Sequence, residues 1–112
     1  MIRDFKLFVA DILDAMEAIE EFIKGKDLKD LLEDEKTLSA VLWKLTLIGE
    51  AAKHIPQDLR KRWPEIPWKE MAGMKDRIVH AYFGIDRQLL WETITVHIPR
   101  IKPALWAMLE NL

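Results

Sequence analysis

The chain has 112 residues, a formal net charge of −2 at pH 7, and a composition that is 50% apolar and 32% charged. This length fits one domain with its own core, and the composition is typical of a folded protein. Cysteine is absent, which excludes thiolate metal ligands, cysteine nucleophiles and disulfides. Residues 1–4 alternate apolar and charged side chains, unlike a signal peptide, and no apolar run reaches the ~18 residues of a membrane span. We therefore expect a cytoplasmic protein with no membrane segment.

The first half of the sequence predicts two long helices. Apolar residues at steps of three and four from Phe5 to Ile23 indicate an amphipathic helix that ends near Gly25. The same spacing from Leu38 to Ile55 indicates a second helix, with Asp34 as its expected N-cap. Between them, residues 26–35 are rich in charge and fit either a short helical turn or a loop.

The second predicted helix is apolar on two sides. Trp43 and Leu47 add a stripe to the one that faces the core, and residues 49–52 are small enough for another backbone to approach closely. A helix of this kind belongs either in the middle of a bundle or at a dimer interface.

The second half of the sequence predicts two further helices. Pro67 suits the first position of a third helix, which we expect to run to about Phe83, where Gly84 can end it in a left-handed conformation. Asp86 is then placed to cap a fourth helix that continues to the end of the chain.

Two interruptions complete this outline. The basic segment 58–63 lies between prolines and predicts one or two helical turns, while Pro99 and Pro103 should bend or divide the fourth helix. Strand alternation is not evident, so the predicted fold class is all-α, an antiparallel bundle of four main helices plus short helical turns.

The stretch from Lys75 to Asp86 concentrates the groups suited to chemistry. If it is helical, Asp76 and His80 share a face at i,i+4, Arg77 neighbours His80 at i,i+3, and Lys75 aligns with Tyr82 two turns later. An imidazole can move protons near neutral pH, a carboxylate can orient it, and cations can hold a phosphate. Such a set suits cleavage of RNA without a metal, because the 2′-hydroxyl of the substrate can act as the nucleophile.

These residues resemble the signature of the HEPN superfamily, specifically its HepT-like toxin branch: an Arg, an Asn or Asp, three spacers, a His, one spacer and a Tyr. Lys75, Asp76, His80 and Tyr82 occupy those positions, with lysine in place of the usual arginine. Residues 48–52, 68–74, 83–86 and 91–99 are also similar to this branch, so the resemblance covers nearly the whole chain.

The resemblance implies one HEPN domain over residues 1–112 and a homodimer whose two motifs face each other across a cleft. It further implies a metal-independent endoribonuclease toxin without a cofactor, paired with a separately encoded nucleotidyltransferase antitoxin that attaches adenylate to Tyr82. Lys75 keeps the positive charge of arginine but loses the planar fork that grips two phosphate oxygens.

Structural interpretations of the same residues stay open. Asp76 either orients His80 or forms a surface ion pair with Arg77 or Lys75, and Tyr82 either functions or packs at a bundle edge. In the basic segment, Arg60 and Arg62 either contact RNA phosphates or belong to a solvated turn. His54 and His97 have no partners at metal-ligand spacing, so we interpret both as structural and expect no metal site. Glu50 either pairs with a motif cation or lies at the surface.

Two other functions remain compatible with the sequence. One is a HEPN module, weakened by lysine at position 75, that binds RNA, nucleotide or its partner without cleaving. The other is a helical dimerisation domain that supports a nucleotidyltransferase. Growth arrest on expression of the chain alone favours the nuclease.

Overall fold

The computed structural model describes residues 4–80 and 84–112, and the described part is almost entirely helical, as predicted. Its one sheet is a two-stranded antiparallel ribbon. In chain order the elements are α1 (Phe5–Phe22), α2 (Leu28–Glu33), α3 (Glu35–Lys53), α4 (Gln57–Arg62), α5 (Trp68–Ala72), α6 (Met74–Ile78), β1 (Val79–His80), β2 (Gly84–Ile85), α7 (Arg87–Glu92), a π-turn (Thr93–His97) and α8 (Ile98–Glu110).

The two long helices predicted in the first half are confirmed with their caps. Asp4 accepts a hydrogen bond from the Lys6 N–H at the start of α1, and Gly25 follows its end with a φ of 75°. Asp34 caps α3 by accepting from the Thr37 N–H. The charge-rich connection between α1 and α3 is helical, which is the first of the two alternatives for residues 26–35. Asp27 and Asp30 form a capping box at the start of α2, and this pair is a helix-start signal that the sequence contains.

The third predicted helix is wrong as a single element. Pro67 is the N-cap of α5 and not its first residue, and helical geometry breaks at Gly73 and resumes for only five residues in α6. The chain then enters β1, where Val79 pairs with Ile85 and His80 with Gly84. Gly84 has the expected positive φ, 93°, but it lies in β2 and does not end a helix.

The last predicted helix is divided next to Pro99 as expected, whereas Pro103 lies inside α8 without dividing it. Asp86 caps α7 by accepting from the Leu89 N–H. The π-turn follows, with the Ile98 N–H reaching the Thr93 carbonyl five residues back, and α8 begins immediately before Pro99. Because Pro99 has no N–H to donate, the break coincides with a position that cannot continue the regular hydrogen-bond pattern.

The core lies where α1 packs along α3 and α8, and α3 also contacts α2, α5 and α6. Its largest fully buried side chains include Ile12, Met16, Leu45, Ile48 and Leu90. No helix in the described ranges is both long and apolar enough to cross a membrane.

Gly49 allows the close approach that the sequence predicted for α3. A Cβ at this position would lie 3.3 Å from the carbonyl oxygens of both Met71 and Ala72, at the end of α5. These are backbone atoms, which cannot move aside as the end of a flexible side chain can. The contact therefore fixes the distance between α3 and the segment that leads into the motif.

Replacement of Gly49 with valine should lower the free energy of unfolding by about 1–3 kcal/mol, because the added atoms overpack the contact with α5. Thermal or urea unfolding of the variant measures this. The matched control is Ser39→Val, at an exposed position of the same helix, which bears the β-branched penalty without the clash and should change stability by less than about 0.7 kcal/mol. Equal losses in the two variants would contradict the packing argument.

The cap of α3 has an acid-sensitive component. The Thr37 hydroxyl donates to Asp34 over 2.6 Å, and this bond, the Thr37 N–H and nearby Lys26 hold the pKa of Asp34 below its ordinary value of 3.8. A carboxyl whose pKa is lower in the folded state stabilises the fold above the unfolded-state pKa. That contribution is lost as the pH falls through the folded-state pKa.

Thr37→Val should raise the pKa of Asp34 toward 3.8, because it removes the hydroxyl donor and preserves the branched shape. The measurement is a carboxyl-carbon NMR titration, accompanied by unfolding at pH 7 and pH 3. The stability lost through the substitution should be greater at pH 7, where the carboxylate is ionised. Thr46→Val removes a hydroxyl that donates to the Leu42 carbonyl, so as a control it should leave the Asp34 titration unchanged. An unchanged Asp34 pKa in Thr37→Val would refute the assignment.

Candidate active site

The described motif residues are carried by two short elements and not by one helix. α6 supplies Lys75, Asp76 and Arg77, and β1 supplies His80. The ribbon is held to the end of α6 by a hydrogen bond of 2.8 Å from the Asp86 N–H to the Ile78 carbonyl. Ile78 is fully buried and anchors this junction in the core. The motif is therefore a surface segment that is anchored to the core at Ile78, between Lys75 and His80.

Lys75 and Asp76 form the ion pair that was one of the alternatives for this acid. The Lys75 Nζ lies 3.4 Å from an Asp76 carboxylate oxygen, and both side chains are exposed. A surface pair of this kind contributes at most about 1 kcal/mol. It can therefore open at low cost when a phosphate offers Lys75 a stronger partner.

His80 is exposed, and its side chain makes no hydrogen bond within the described residues. The predicted face shared by Asp76 and His80, and the predicted neighbourhood of Arg77 and His80, both assumed an unbroken helix. Those two geometric expectations are wrong because the chain is extended at Val79, where φ is −103° and ψ is 116°. An exposed imidazole on an extended segment is accessible to a substrate from solution.

Arg77 is held against its own backbone. Its Nη2 donates to the Glu70 carbonyl over 2.6 Å, and its Nη1 lies 3.4 Å from the position that a Cβ on Gly73 would occupy. Gly73 therefore provides both the break between α5 and α6 and the room in which Arg77 folds back. Gly73 was not among the residues expected to matter for the site, although a glycine inside a predicted helix is a signal of this kind.

Tyr82 lies outside the described residues. Its alignment with Lys75 two turns along a helix depended on a helix continuing to Phe83, and the helix ends at Ile78. Its assignment as a catalytic and modified residue stays a prediction based on its place in the motif.

The basic segment divides into a structural and an exposed arginine. Arg60 donates from Nε to the Ile55 carbonyl over 2.8 Å and from Nη2 to the Ala52 carbonyl over 2.7 Å. These bonds satisfy carbonyl groups at the C-terminal end of α3, where a cation is also favoured by the helix dipole. Arg62 is exposed at the end of α4 and is the better candidate for a phosphate contact.

The remaining candidates lie on the face formed by α1 and α3. Glu50 is exposed and pairs with Lys53 over 3.1 Å, which is the surface alternative for this residue. The His54 ring stacks on Phe8, with centroids 4.8 Å apart. Within residues 4–80 and 84–112, no three histidine, aspartate or glutamate side chains are grouped in a way that could hold a metal ion.

The described geometry can supply a phosphate-binding cation in Lys75 and a proton-transferring imidazole in His80. Both side chains are exposed, and the two residues lie five positions apart in the chain, on either side of the junction between α6 and β1. One protomer offers this pair without a second positioned imidazole, because His54 and His97 lie on other elements. Cleavage of a phosphodiester uses both a base and an acid, and His80 is the one histidine of the sequence that lies in the motif segment.

Comparison with known proteins identifies similar sequences over almost the full length. A family model described as ribonuclease HepT-like matches residues 12–108. The "Probable ribonuclease HepT" of Thermococcus cleftensis is 48% identical over 102 residues, which cover 91% of this chain and 93% of that protein. Two proteins of Methanocaldococcus jannaschii, each named "Putative RNase", are 42% and 40% identical over 110 residues, which cover 98% of this chain and 95% and 91% of theirs. No solved structure matches the chain significantly.

Proposed function

The chain belongs to the HepT-like ribonuclease family, and we propose that it is a metal-independent RNA endonuclease that acts as a homodimer. We further propose that it is the toxin of a toxin–antitoxin pair whose nucleotidyltransferase partner attaches adenylate to Tyr82. The observation that carries the proposal is the exposure of Lys75 and His80 on two adjacent short elements, α6 and β1, within a motif that also contains Asp76 and Tyr82.

The proposed reaction uses the substrate's own hydroxyl. His80 removes the proton from a ribose 2′-hydroxyl, and the 2′-oxygen forms a bond to the adjacent phosphorus. The bond from phosphorus to the 5′-oxygen breaks, and that oxygen takes a proton from His80 of the partner subunit. The products are a 2′,3′-cyclic phosphate and a 5′-hydroxyl. Lys75 neutralises the charge that develops on the phosphate oxygens, and Asp76 releases Lys75 when the phosphate binds.

A homodimer is supported by a large aromatic side chain that one protomer leaves exposed. Trp43 has 59% of its surface exposed although it lies on α3, which packs against α1, α2, α5 and α6. Leu47, one turn further on, is half-buried and borders a groove between α1 and α3 of about 470 Å³. A large aromatic side chain beside a groove on the same face is suited to a two-fold interface, in which each copy contributes both features.

A second function, RNA or nucleotide binding without cleavage, is favoured by Lys75. Lysine cannot form the two parallel hydrogen bonds that arginine makes to a phosphate, so transition-state stabilisation is weaker than in a motif with arginine. A purified chain that binds RNA but cleaves only as Lys75→Arg would establish this alternative.

His80→Ala should abolish cleavage of RNA by the purified chain, because it removes the proton-transferring group while leaving the core intact. Gel analysis of RNA products measures the activity, and circular dichroism verifies that the helical content is preserved. Lys75→Arg is the matched motif variant and should retain or increase cleavage. Activity should persist in EDTA. Loss of activity with EDTA, restored by magnesium or zinc, would contradict the metal-independent mechanism.

Trp43→Glu should dissociate the dimer, since it places a charge at the centre of the proposed apolar interface. Light scattering at micromolar concentration should report twice 13.2 kDa for the unmodified sequence and 13.2 kDa for the variant. Trp106→Glu is the control, because Trp106 is an exposed tryptophan of α8, with 43% of its surface exposed, and lies outside the proposed interface. A monomeric chain of unmodified sequence would refute the two-motif site.

Tyr82→Phe should abolish adenylylation by the partner nucleotidyltransferase while preserving part of the cleavage activity, because the hydroxyl accepts the adenylate and is not assigned a proton transfer. Adenylate would add negative charge to the motif segment that carries Lys75, so the modified chain should bind RNA less well. Mass spectrometry after co-expression should find a mass increase in the peptide that contains Tyr82. A Tyr82→Phe chain that the partner still neutralises fully would show that control occurs by binding alone.

A further inference from the structure

A hollow of about 500 Å³ opens beside α6, between α5 and the wall formed by α7, the π-turn and α8. Its floor is apolar and includes Met71 and Met74, which are almost completely buried, together with the half-buried Leu89 and Ile101. Methionine side chains adapt to flat, polarisable ligands and make favourable contacts with aromatic rings. The floor can therefore hold a planar apolar group.

Three basic or potentially basic side chains line the same hollow: Arg77, His97 and Arg100. Arg77 donates one hydrogen bond to the Glu70 backbone carbonyl. Neither Arg77 nor Arg100 forms an ion pair with a carboxylate in the described part of the chain. Their charges are therefore available to an anion. Because a guanidinium presents several donors in one plane, two arginines at one rim are well suited to a phosphate.

Two carboxylates, Glu65 and Glu70, also line the hollow, and neither forms an ion pair within residues 4–80 and 84–112. The lining thus combines an apolar floor, cations for an anionic group and acceptors for N–H donors. A nucleotide whose base carries an exocyclic amino group has this combination of features: a flat ring, a phosphate and an N–H donor.

The π-turn contributes to the shape of the wall. Its extra residue shifts the helical register between α7 and α8. The hollow is lined by the buried Thr93 and the exposed His97 of the π-turn, and by the exposed Arg100 of α8. The Thr93 hydroxyl donates to the Leu89 carbonyl over 2.7 Å, which stabilises the turn from within. Single π-turns inside helices often occur at functional sites because they re-aim side chains.

We propose that this hollow binds one nucleotide of the RNA substrate near the scissile bond, with its base on the apolar floor and its phosphate at Arg77 and Arg100. The inference rests on the proposed ribonuclease function and names a subsite for it. Arg77 lies two residues after Lys75 and three before His80. The short helix α6 therefore carries the motif residue Lys75 and also lines the hollow through Arg77. An RNA strand crossing α6 would span the ~10 Å width of one helix.

Other occupants fit the lining less well. An apolar helix of a protein partner would bury Arg77 and Arg100 without giving either an anionic partner, which is costly. A free phosphate would use the cations and leave the floor of Met71 and Met74 empty. A nucleotide uses both sets of groups, and an adenine or cytosine amino group can in addition donate to Glu65 or Glu70.

Binding of 2′-O-methyl oligonucleotides tests the subsite apart from cleavage, because they lack the attacking hydroxyl. Fluorescence anisotropy should show oligo(A) or oligo(C) binding several-fold more tightly than oligo(U), whose base has no amino group. Arg100→Gln should weaken oligo(A) binding about tenfold. Ala104→Leu, which fills the hollow from α8, should weaken it by a similar factor while circular dichroism stays unchanged. Lys36→Gln, an exposed cation at the start of α3, should change it less than twofold.

Equal binding of the three oligonucleotides, or unchanged binding by Ala104→Leu, would overturn the subsite. Free AMP that binds as tightly as oligo(A) would overturn its assignment to RNA and identify a mononucleotide site. A change of mass in light scattering without a change in RNA binding would instead assign the hollow to a protein contact. Cleavage is measured in parallel. If cleavage depends on His80 but is unchanged in Arg100→Gln and Ala104→Leu, the subsite is refuted and the nuclease function stands. If binding is base-selective but no cleavage occurs, the subsite stands and the nuclease function is refuted.

Discussion

The contact between Gly49 of α3 and the carbonyl oxygens at the end of α5 sets how closely α5, the segment that leads into the motif, lies against α3. With no Cβ at Gly49, the backbone of α5 lies against α3, and the next residue, Gly73, can change direction. α6 then begins close to α3, with Ile78 fully buried. A larger side chain at position 49 would displace α5, and with it the short elements that carry Lys75 and His80.

Breaking the helix at Gly73 and again at Val79 changes what the motif can do. On one straight helix, Asp76 would lie beside His80 and fix the orientation of its ring. In the structure Asp76 pairs with Lys75, and His80 projects from an extended strand. Within residues 4–80 and 84–112 the imidazole has no hydrogen-bond partner, so a substrate can supply one. In the proposed homodimer, RNA and both protomers together would complete the geometry of the site.

The sequence was sufficient where structure is decided locally. The caps formed by Asp34 and Asp86 and the turn at Gly25 involve residues within a few positions of one another, and each occurs as predicted. The ribbon of β1 and β2 was not predictable in this way, because its strands are two residues long and too short for alternation to be visible. Their pairing depends on the tertiary packing of Ile78, which overrides the helical spacing of the segment. The grouping of Arg77 with Arg100 likewise depends on how α6 and α8 pack.

Charge gives the strongest reason to regard the single chain as part of a larger site. A phosphodiester that is being cleaved carries increasing negative charge, and of the motif cations described here Arg77 folds back toward Glu70 while Lys75 faces Asp76. Lysine delivers its charge through one flexible stem, so its hold on the phosphate is less directional than that of arginine. Two copies facing each other would double the cations and supply a second imidazole. On this argument, lysine at position 75 costs less in a paired site than in an isolated one, because the opposite motif contributes to the same phosphate.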